Sequence, residues 1–173
     1  CLESARRRAL NRGLVIQGLE TTRWEGRLEI IQDKPTVILD GAHNEEGALA
    51  LRSYIQENVA GPVFLIFAVM KDKNIKRLGE ILFPLAERIF LTRFSYHRAA
   101  SPEIVLKALP QFSKRTECIP HPGEALQAAL ESAGENGAVA AAGSLFLIGT
   151  IKSIFRRIQA VHETRFDRTH RER

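Results

Sequence analysis

Thr36-Val37-Ile38-Leu39-Asp40-Gly41-Ala42-His43-Asn44-Glu45-Glu46 is the stretch that decides the fold. Thr36 to Leu39 is a β-branched and aliphatic run that reads as a strand. Asp40 to Asn44 then turns polar. Ala48, Leu51, Ile55 and Val59 follow at the spacing of one helix face. Asn44 stands where a side chain can cap that helix, and Glu45 and Glu46 fall in its first turn, where acids complement the dipole. A strand handed directly to a helix is the repeating unit of an α/β domain.

The same rhythm runs outward in both directions. Downstream, Pro62 precedes Val63 to Val69, a continuous apolar run that suits a central parallel strand. The polar loop Met70 to Asn74 leads to a helix from Ile75 that closes near Phe83, since Pro84 disfavours continuation. Arg88 to Thr92 reads as a strand and Arg93 to Ala100 as a loop. Ser101 caps a helix with Pro102 at its first position. Thr116 to Ile119 is a short strand, and His121-Pro122-Gly123 opens a helix ending near Gly134. Ala138 to Ala142 is the last strand. Gly143-Ser144 turns it into a long helix running to about His162, and the polar tail from Glu163 is expected to fray. Upstream, Leu28 to Ile31 is an edge-strand candidate, Leu2 to Asn11 a helix ending near Gly13, and Gly13 to Trp24 a linker. Six strands alternating with helices predict an α/β fold with a mostly parallel sheet. The expected division is 1–23 as the end of a preceding unit and a linker, 24–162 as the domain, and 163–173 as a polar tail.

Bulk properties narrow the function classes. With 173 residues and 45% apolar content the chain can bury a substantial core, which argues against low-complexity disorder. The net charge of +5 comes from 25 basic against 20 acidic residues, with arginines crowded at both ends. No aromatic platform or RNA-binding signature accompanies that charge, so solvated helix ends are favoured over a nucleic-acid surface. Two cysteines, Cys1 and Cys118, make no disulfide framework or metal motif and fit a reducing compartment. No apolar run reaches the roughly 18 residues of a membrane span. A start at Cys1 suggests an excised or processed chain.

In open α/β sheets, ligands bind beyond the carboxyl ends of the strands. If these strands are parallel, that rim collects Asp40, His43, Lys71, Asp72, Lys73, Arg93, His121 and Ser144. A carboxylate such as Asp40 can accept hydrogen bonds from ribose hydroxyls, and Gly41 permits close backbone approach. An ordinary turn with Asp and Asn as local hydrogen-bonding residues is the alternative. Lys71 and Lys73 around Asp72 can hold a phosphate or carboxylate, or form a charged surface loop. Gly143-Ser144 opens a helix whose free amides attract anions, or Ser144 is a plain cap. Arg27 carries a fork suited to phosphate oxygens, or pairs on the surface with Glu25 or Glu29. There is no phosphate loop, dinucleotide fingerprint or metal-binding motif.

Taken together, Trp24-Glu25-Gly26-Arg27, Asp40-Gly41-Ala42-His43-Asn44, Met70-Lys71-Asp72-Lys73, Arg98-Ala99 and Ala142-Gly143-Ser144-Leu145-Phe146-Leu147-Ile148-Gly149 resemble the C-terminal domain of folylpolyglutamate synthase and dihydrofolate synthase, members of the Mur ligase superfamily. The match runs across roughly residues 14 to 155. The family usually has proline where Glu25 and Glu45 stand, so local geometry departs there.

The resemblance implies a Rossmann-like three-layer sandwich. It implies a cytoplasmic, ATP- and Mg2+-dependent amide ligase of folate metabolism, joining L-glutamate to a folate or dihydropteroate carboxylate through an acyl phosphate. The phosphate loop and Mg2+ would belong to a preceding N-terminal ATPase domain, leaving this domain inactive alone. By carry-over, Arg27 would touch ATP phosphates and Asp40 the ribose. His43 would be catalytic at the junction of nucleotide and glutamate, and His43, Lys73 and Ser144 would hold glutamate, with Lys71 an alternative to Lys73. No residue is assigned to metal, nucleic acid or membrane. The competing readings are a stand-alone nucleotide- or amino-acid-binding module and the C-terminal domain of another Mur-type ligase.

Overall fold

The computed structural model describes residues 11–21 and 24–171. Helix α1 spans Arg12–Thr21, strands β1 Glu29–Asp33 and β2 Thr36–Asp40, and helix α2 Glu45–Asn58. Strand β3 (Val63–Phe67), helix α3 (Ile75–Leu82), strand β4 (Arg88–Leu91) and helix α4 (Pro102–Ala108) follow. Strand β5 is Thr116–Cys118, helix α5 Pro122–Ala133, strand β6 Ala138–Ala142 and helix α6 Leu145–Arg171.

The six strands form one sheet in the order β1-β2-β6-β3-β4-β5. Only β1 runs antiparallel, as an edge hairpin partner of β2. All other pairings are parallel. Alternation along the strands divides the interior into two layers. Ile38, Leu65, Phe67, Ile89 and Ala140 face Leu51 and Ile55 of α2, Leu78 and Ile81 of α3, and Val105 of α4. Val37, Leu39, Phe64, Ile66, Phe90 and Val139 face Leu126 and Ala129 of α5 and Leu147, Ile151 and Phe155 of α6. This is the three-layer α/β sandwich that the strand-and-helix rhythm and the resemblance predict. Burial of each such Val, Leu, Ile or Phe side chain contributes about 1.5–3 kcal/mol relative to exposure.

Local chemistry accounts for most boundaries. Asn44 Oδ1 accepts from Gly47 N at 3.0 Å and starts α2. Asn74 Oδ1 accepts from Arg77 N at 3.1 Å and starts α3. Gly134, at φ 55°, ends α5, because a residue without Cβ enters that region without strain.

Several expectations are corrected. The stretch read as a linker from Gly13 to Trp24 holds α1. Asn11 Oδ1 accepts from Gly13 N and Leu14 N, so Asn11 begins a helix rather than ending one. The helix expected over Leu2 to Asn11 lies largely outside the described residues. Strand β3 stops at Phe67, two residues before the apolar run does. Ser101 occupies a cap position but makes no side-chain cap bond; its hydroxyl is hydrogen-bonded to Glu103 instead. A short 3-10 helix, Pro110–Arg115, was not expected. Helix α6 continues past His162 to Arg171, where a frayed tail was expected.

Candidate functional site

Strand register levels the rim. Asp40 pairs with Ala142, and Ala142 pairs with Phe67, so the loops after β2, β6 and β3 begin side by side. Gly143, at φ 109°, takes the turn out of β6; a Cβ there would strike the Ala68 carbonyl. Gly41 also lacks room for a Cβ, which would strike Leu145. Its bareness serves the packing of α6 against the loop, whereas the sequence suggested close approach of a ligand.

Three sequence-distant candidates meet at this rim. His43, Lys73 and Ser144 line one cavity of about 160 Å³, together with Met70, Gly143, Leu145 and Phe146. That volume equals about five water molecules, the scale of a free amino acid. His43 Nδ1 lies 2.8 Å from Gly41 O. A carbonyl only accepts, so Nδ1 carries the proton and, in the neutral ring, Nε2 is left as an acceptor. If His43 is to hold glutamate by donating to a carboxylate, it needs the protonated ring. Ser144 is 3% exposed, and its Oγ accepts from Phe146 N at 3.2 Å. It is thus a helix cap, and its hydroxyl hydrogen still lacks an acceptor among the described residues.

The polar loop after β3 is sorted by its partners. Lys71 is exposed and its Nζ lies 3.5 Å from His97 O. Asp72 pairs with Arg98 at 2.9 Å. Burial works to raise the Asp72 carboxyl, but a hydrogen bond from its own backbone and the Arg98 charge outweigh it and hold it below its ordinary value. Lys73 makes no ion pair among the described residues and alone of the two lysines lines the cavity. The Arg98-Ala99 motif acts as a buttress: Arg98 O accepts from Lys71 N at 2.8 Å and Ala99 bridges Met70.

Asp40 and Arg27 lie on the β2 side. Asp40 is 6% exposed, and its Oδ2 accepts from Leu28 N at 2.8 Å. Burial raises its carboxyl above the ordinary value, against hydrogen bonds from Leu28 and Ala42 and the charges of Arg27 and His43. Asp40 thus holds the loop that carries Arg27. The Arg27 side chain is exposed. Neither Glu25 nor Glu29 pairs with it, because both turn to Lys152, so the surface-pair alternative does not hold.

Arg93 and His121, also expected at the rim, do not join this cavity. They line a separate open hollow of about 640 Å³ with Phe94, Ser95, Tyr96, His97 and Pro120. Sequence reasoning assigned no role to Phe146, which lines the small cavity and stacks on Tyr96 at 4.9 Å and Phe94 at 5.7 Å. Its signal was an aromatic residue in the first turn of a helix that starts at the rim. Among the described residues no group of His, Cys, Asp and Glu is arranged to hold a metal ion, and no helix is long and apolar enough to cross a membrane.

Comparison with known proteins adds a family match, a curated relative and two solved structures. The family model described as Mur ligase, glutamate ligase domain matches residues 26–145. The dihydrofolate synthase/folylpolyglutamate synthase of Bacillus subtilis is 31% identical over 136 residues, covering 78% of this chain and 31% of the relative. Among solved structures, folylpolyglutamate synthase of Mycobacterium tuberculosis complexed with ADP and AMPPCP superposes with a TM-score of 0.79 at 23% identity, covering 88% of this chain and 37% of that one. The bifunctional folylpolyglutamate synthase/dihydrofolate synthase of Yersinia pestis complexed with AMPPNP and Mn ion does so with 0.76 at 21%, covering 86% and 35%. These two structural likenesses carry the fold. The chain spans about a third of the length of the curated relative it matches.

Proposed function

The chain belongs to the family of Mur ligase glutamate ligase domains, and from that premise we propose that it is the glutamate-presenting domain of an ATP-dependent amide ligase of the folylpolyglutamate synthase and dihydrofolate synthase kind. The observation that carries the reading is the meeting of His43, Lys73 and Ser144 at one amino-acid-sized cavity. The folate branch is supported by the Bacillus subtilis relative.

In this reading, residues 24–162 form the domain, and a preceding ATPase domain supplies the phosphate loop and Mg2+. Use of a divalent ion accords with the Mn ion in the Yersinia pestis structure. ATP transfers its γ-phosphoryl group to a carboxylate oxygen of the folate or dihydropteroate substrate, and ADP leaves. The glutamate nitrogen then attacks the acyl carbon, the new C–N bond forms, and the C–O bond to phosphate breaks. Catalysis of such a sequence rests on positioning and on cations near the transferred group.

Each side chain takes one role. Lys73 supplies a positive charge and Ser144 a hydroxyl hydrogen to the glutamate carboxylates, beside the amides that open α6. Neutral His43, with Nδ1–H committed to Gly41 O, has Nε2 available to accept from the glutamate ammonium, which must lose a proton before attack. Arg27 reaches the ATP phosphates. Asp40 meets the ribose only through whatever acceptor capacity remains after it holds Leu28. The enzyme so described is cytoplasmic.

Ser144→Ala in the complete polypeptide tests the reading. Losing one hydrogen bond to a charged group should raise the KM for glutamate roughly tenfold, while the lost cap costs about 1 kcal/mol of stability. A glutamate KM unchanged in this variant would leave Ser144 as a cap only and remove the glutamate assignment.

A further inference from the structure

We propose that Lys152 is a positioning residue for Arg27: it locks the Trp24–Leu28 loop onto helix α6, so that the guanidinium meets nucleotide phosphates already ordered. The proposal rests on the reading of Arg27 as a phosphate-binding side chain.

The loop is held from three directions. Lys152 Nζ lies 2.6 Å from Glu29 Oε1 and 3.2 Å from Glu25 Oε2. The other Glu29 oxygen accepts from Gly26 N at 2.8 Å. One ammonium thus brackets Arg27 through the carboxylates on both sides of it in sequence. From the sheet, Asp40 takes Leu28 N, and Gly41 N donates to Gly26 O at 2.7 Å. From below, Ile148 and Leu145 of α6 fill the space beside Gly26. Leu28 sits at φ 45°, a left-handed conformation that a leucine keeps only where its surroundings enforce it.

The Lys152–Glu29 pair is the strong part of this clamp. Its side chains are 13% and 23% exposed, against 80% for Glu25, so water and salt screen it less than a surface pair. Burial opposes the charge on Glu29, yet the Lys152 hydrogen bond, the Gly26 amide and the charges of Lys152 and Arg156 hold its carboxyl below the ordinary value. Lys152 is held above its own by the hydrogen bond to Glu29, against desolvation. Of the three charged side chains from Glu25 to Glu29, only Arg27 makes no salt bridge among the described residues. The loop is ordered around a guanidinium that the clamp itself does not engage.

A purely structural role would make Lys152 a staple for the fold. The placement argues for more. Helix α6 starts at the small cavity with Ser144, Leu145 and Phe146, and Lys152 follows two turns later. The same rod therefore carries the amino-acid end of the site and the anchor of the phosphate arm. A shift of about 1 Å in a reacting or binding group is enough to lower rates strongly.

The test is a double-mutant cycle in the complete polypeptide, reading the KM for ATP and for glutamate. Lys152→Met should raise the ATP KM roughly tenfold and leave the glutamate KM within about twofold, with Lys152→Arg restoring most of the loss. In the Arg27→Ala background the same change should add nothing, because no arm remains to be positioned. An unchanged ATP KM, or the same rise with and without Arg27, would overturn the proposal. If Lys152→Met does not fold, Glu29→Gln replaces it, since the amide oxygen can still accept from Gly26 N while the ion pair is lost; the same outcomes decide. Failure of the broader reading looks different: Arg27→Ala alone would then leave the ATP KM untouched.

Discussion

Two hollows open on the same rim of the sheet, and they differ in kind. The larger, about 640 Å³, lies beyond β4 and β5, where Arg93, Ser95, His97 and His121 are exposed. The smaller, about 160 Å³, lies beyond β2, β6 and β3, and its Ser144 is buried as a helix cap while His43 is fixed by a hydrogen bond to Gly41 O. Volume favours the first, and preorganisation the second. A side chain held by its own scaffold loses little freedom when a ligand arrives, whereas an exposed one must be ordered at that moment. The comparison teaches that a site is marked by polar groups already committed to one geometry, with one bonding position left over.

The largest effect should come from the small hollow. His43→Ala removes the acceptor proposed for the glutamate ammonium and should lower kcat/KM roughly 100-fold in the complete polypeptide. Stability should change by only about 1 kcal/mol, for one hydrogen bond. Steady-state kinetics beside urea melts check this; a loss in activity matched by collapse of the fold would erase the distinction between the hollows.

A middle-sized effect concerns the held shell. Burial raises the Asp40 carboxyl above its ordinary 3.8. The native state thus binds that proton more tightly than the unfolded chain. The contribution of Asp40 to stability is full below 3.8 and is lost as pH rises through the folded value. Asp40→Asn has no such titration. The stability of the wild type relative to Asp40→Asn should fall with rising pH across that window. Urea unfolding of both proteins over a pH series reads the difference, and a flat profile would show that Asp40 is not strained by burial.

The smallest effect is expected in the large hollow. His121→Ala should move stability by no more than about 0.5 kcal/mol, since His121 makes no side-chain cap bond. ATP and glutamate KM should stay within about twofold. A tenfold change in either would make the large hollow part of the site and break the comparison.

Legibility varied with the range of the physics. The Asn44 cap, the Gly134 stop and the six strands were readable because each depends on neighbours within a few residues. Helix α1 was misread because Gly13 looked like a break, while the deciding group was the Asn11 side chain capping onward. The two departures at Glu25 and Glu45 were legible as substitutions only. In the structure Glu25 reaches Lys152 and Glu45 reaches Arg77, each tying a loop or helix start to a neighbouring helix. Such partners lie far off in sequence, so no spacing rule points to them.

By itself the sequence determined the strand-turn-helix units and which residue types stand at their junctions, because β-branched runs, helical spacing and caps act locally. Only the tertiary structure decided that β6, last in the chain, enters between β2 and β3. That insertion, with Asp40, Ala142 and Phe67 level across three strands, sets Ser144 between His43 and Lys73. It also gave Asp40 to the Arg27 loop and Lys152 to Glu29. Strand pairing and burial join residues from opposite ends of the chain, and no local preference selects among the pairings that the same strands would allow.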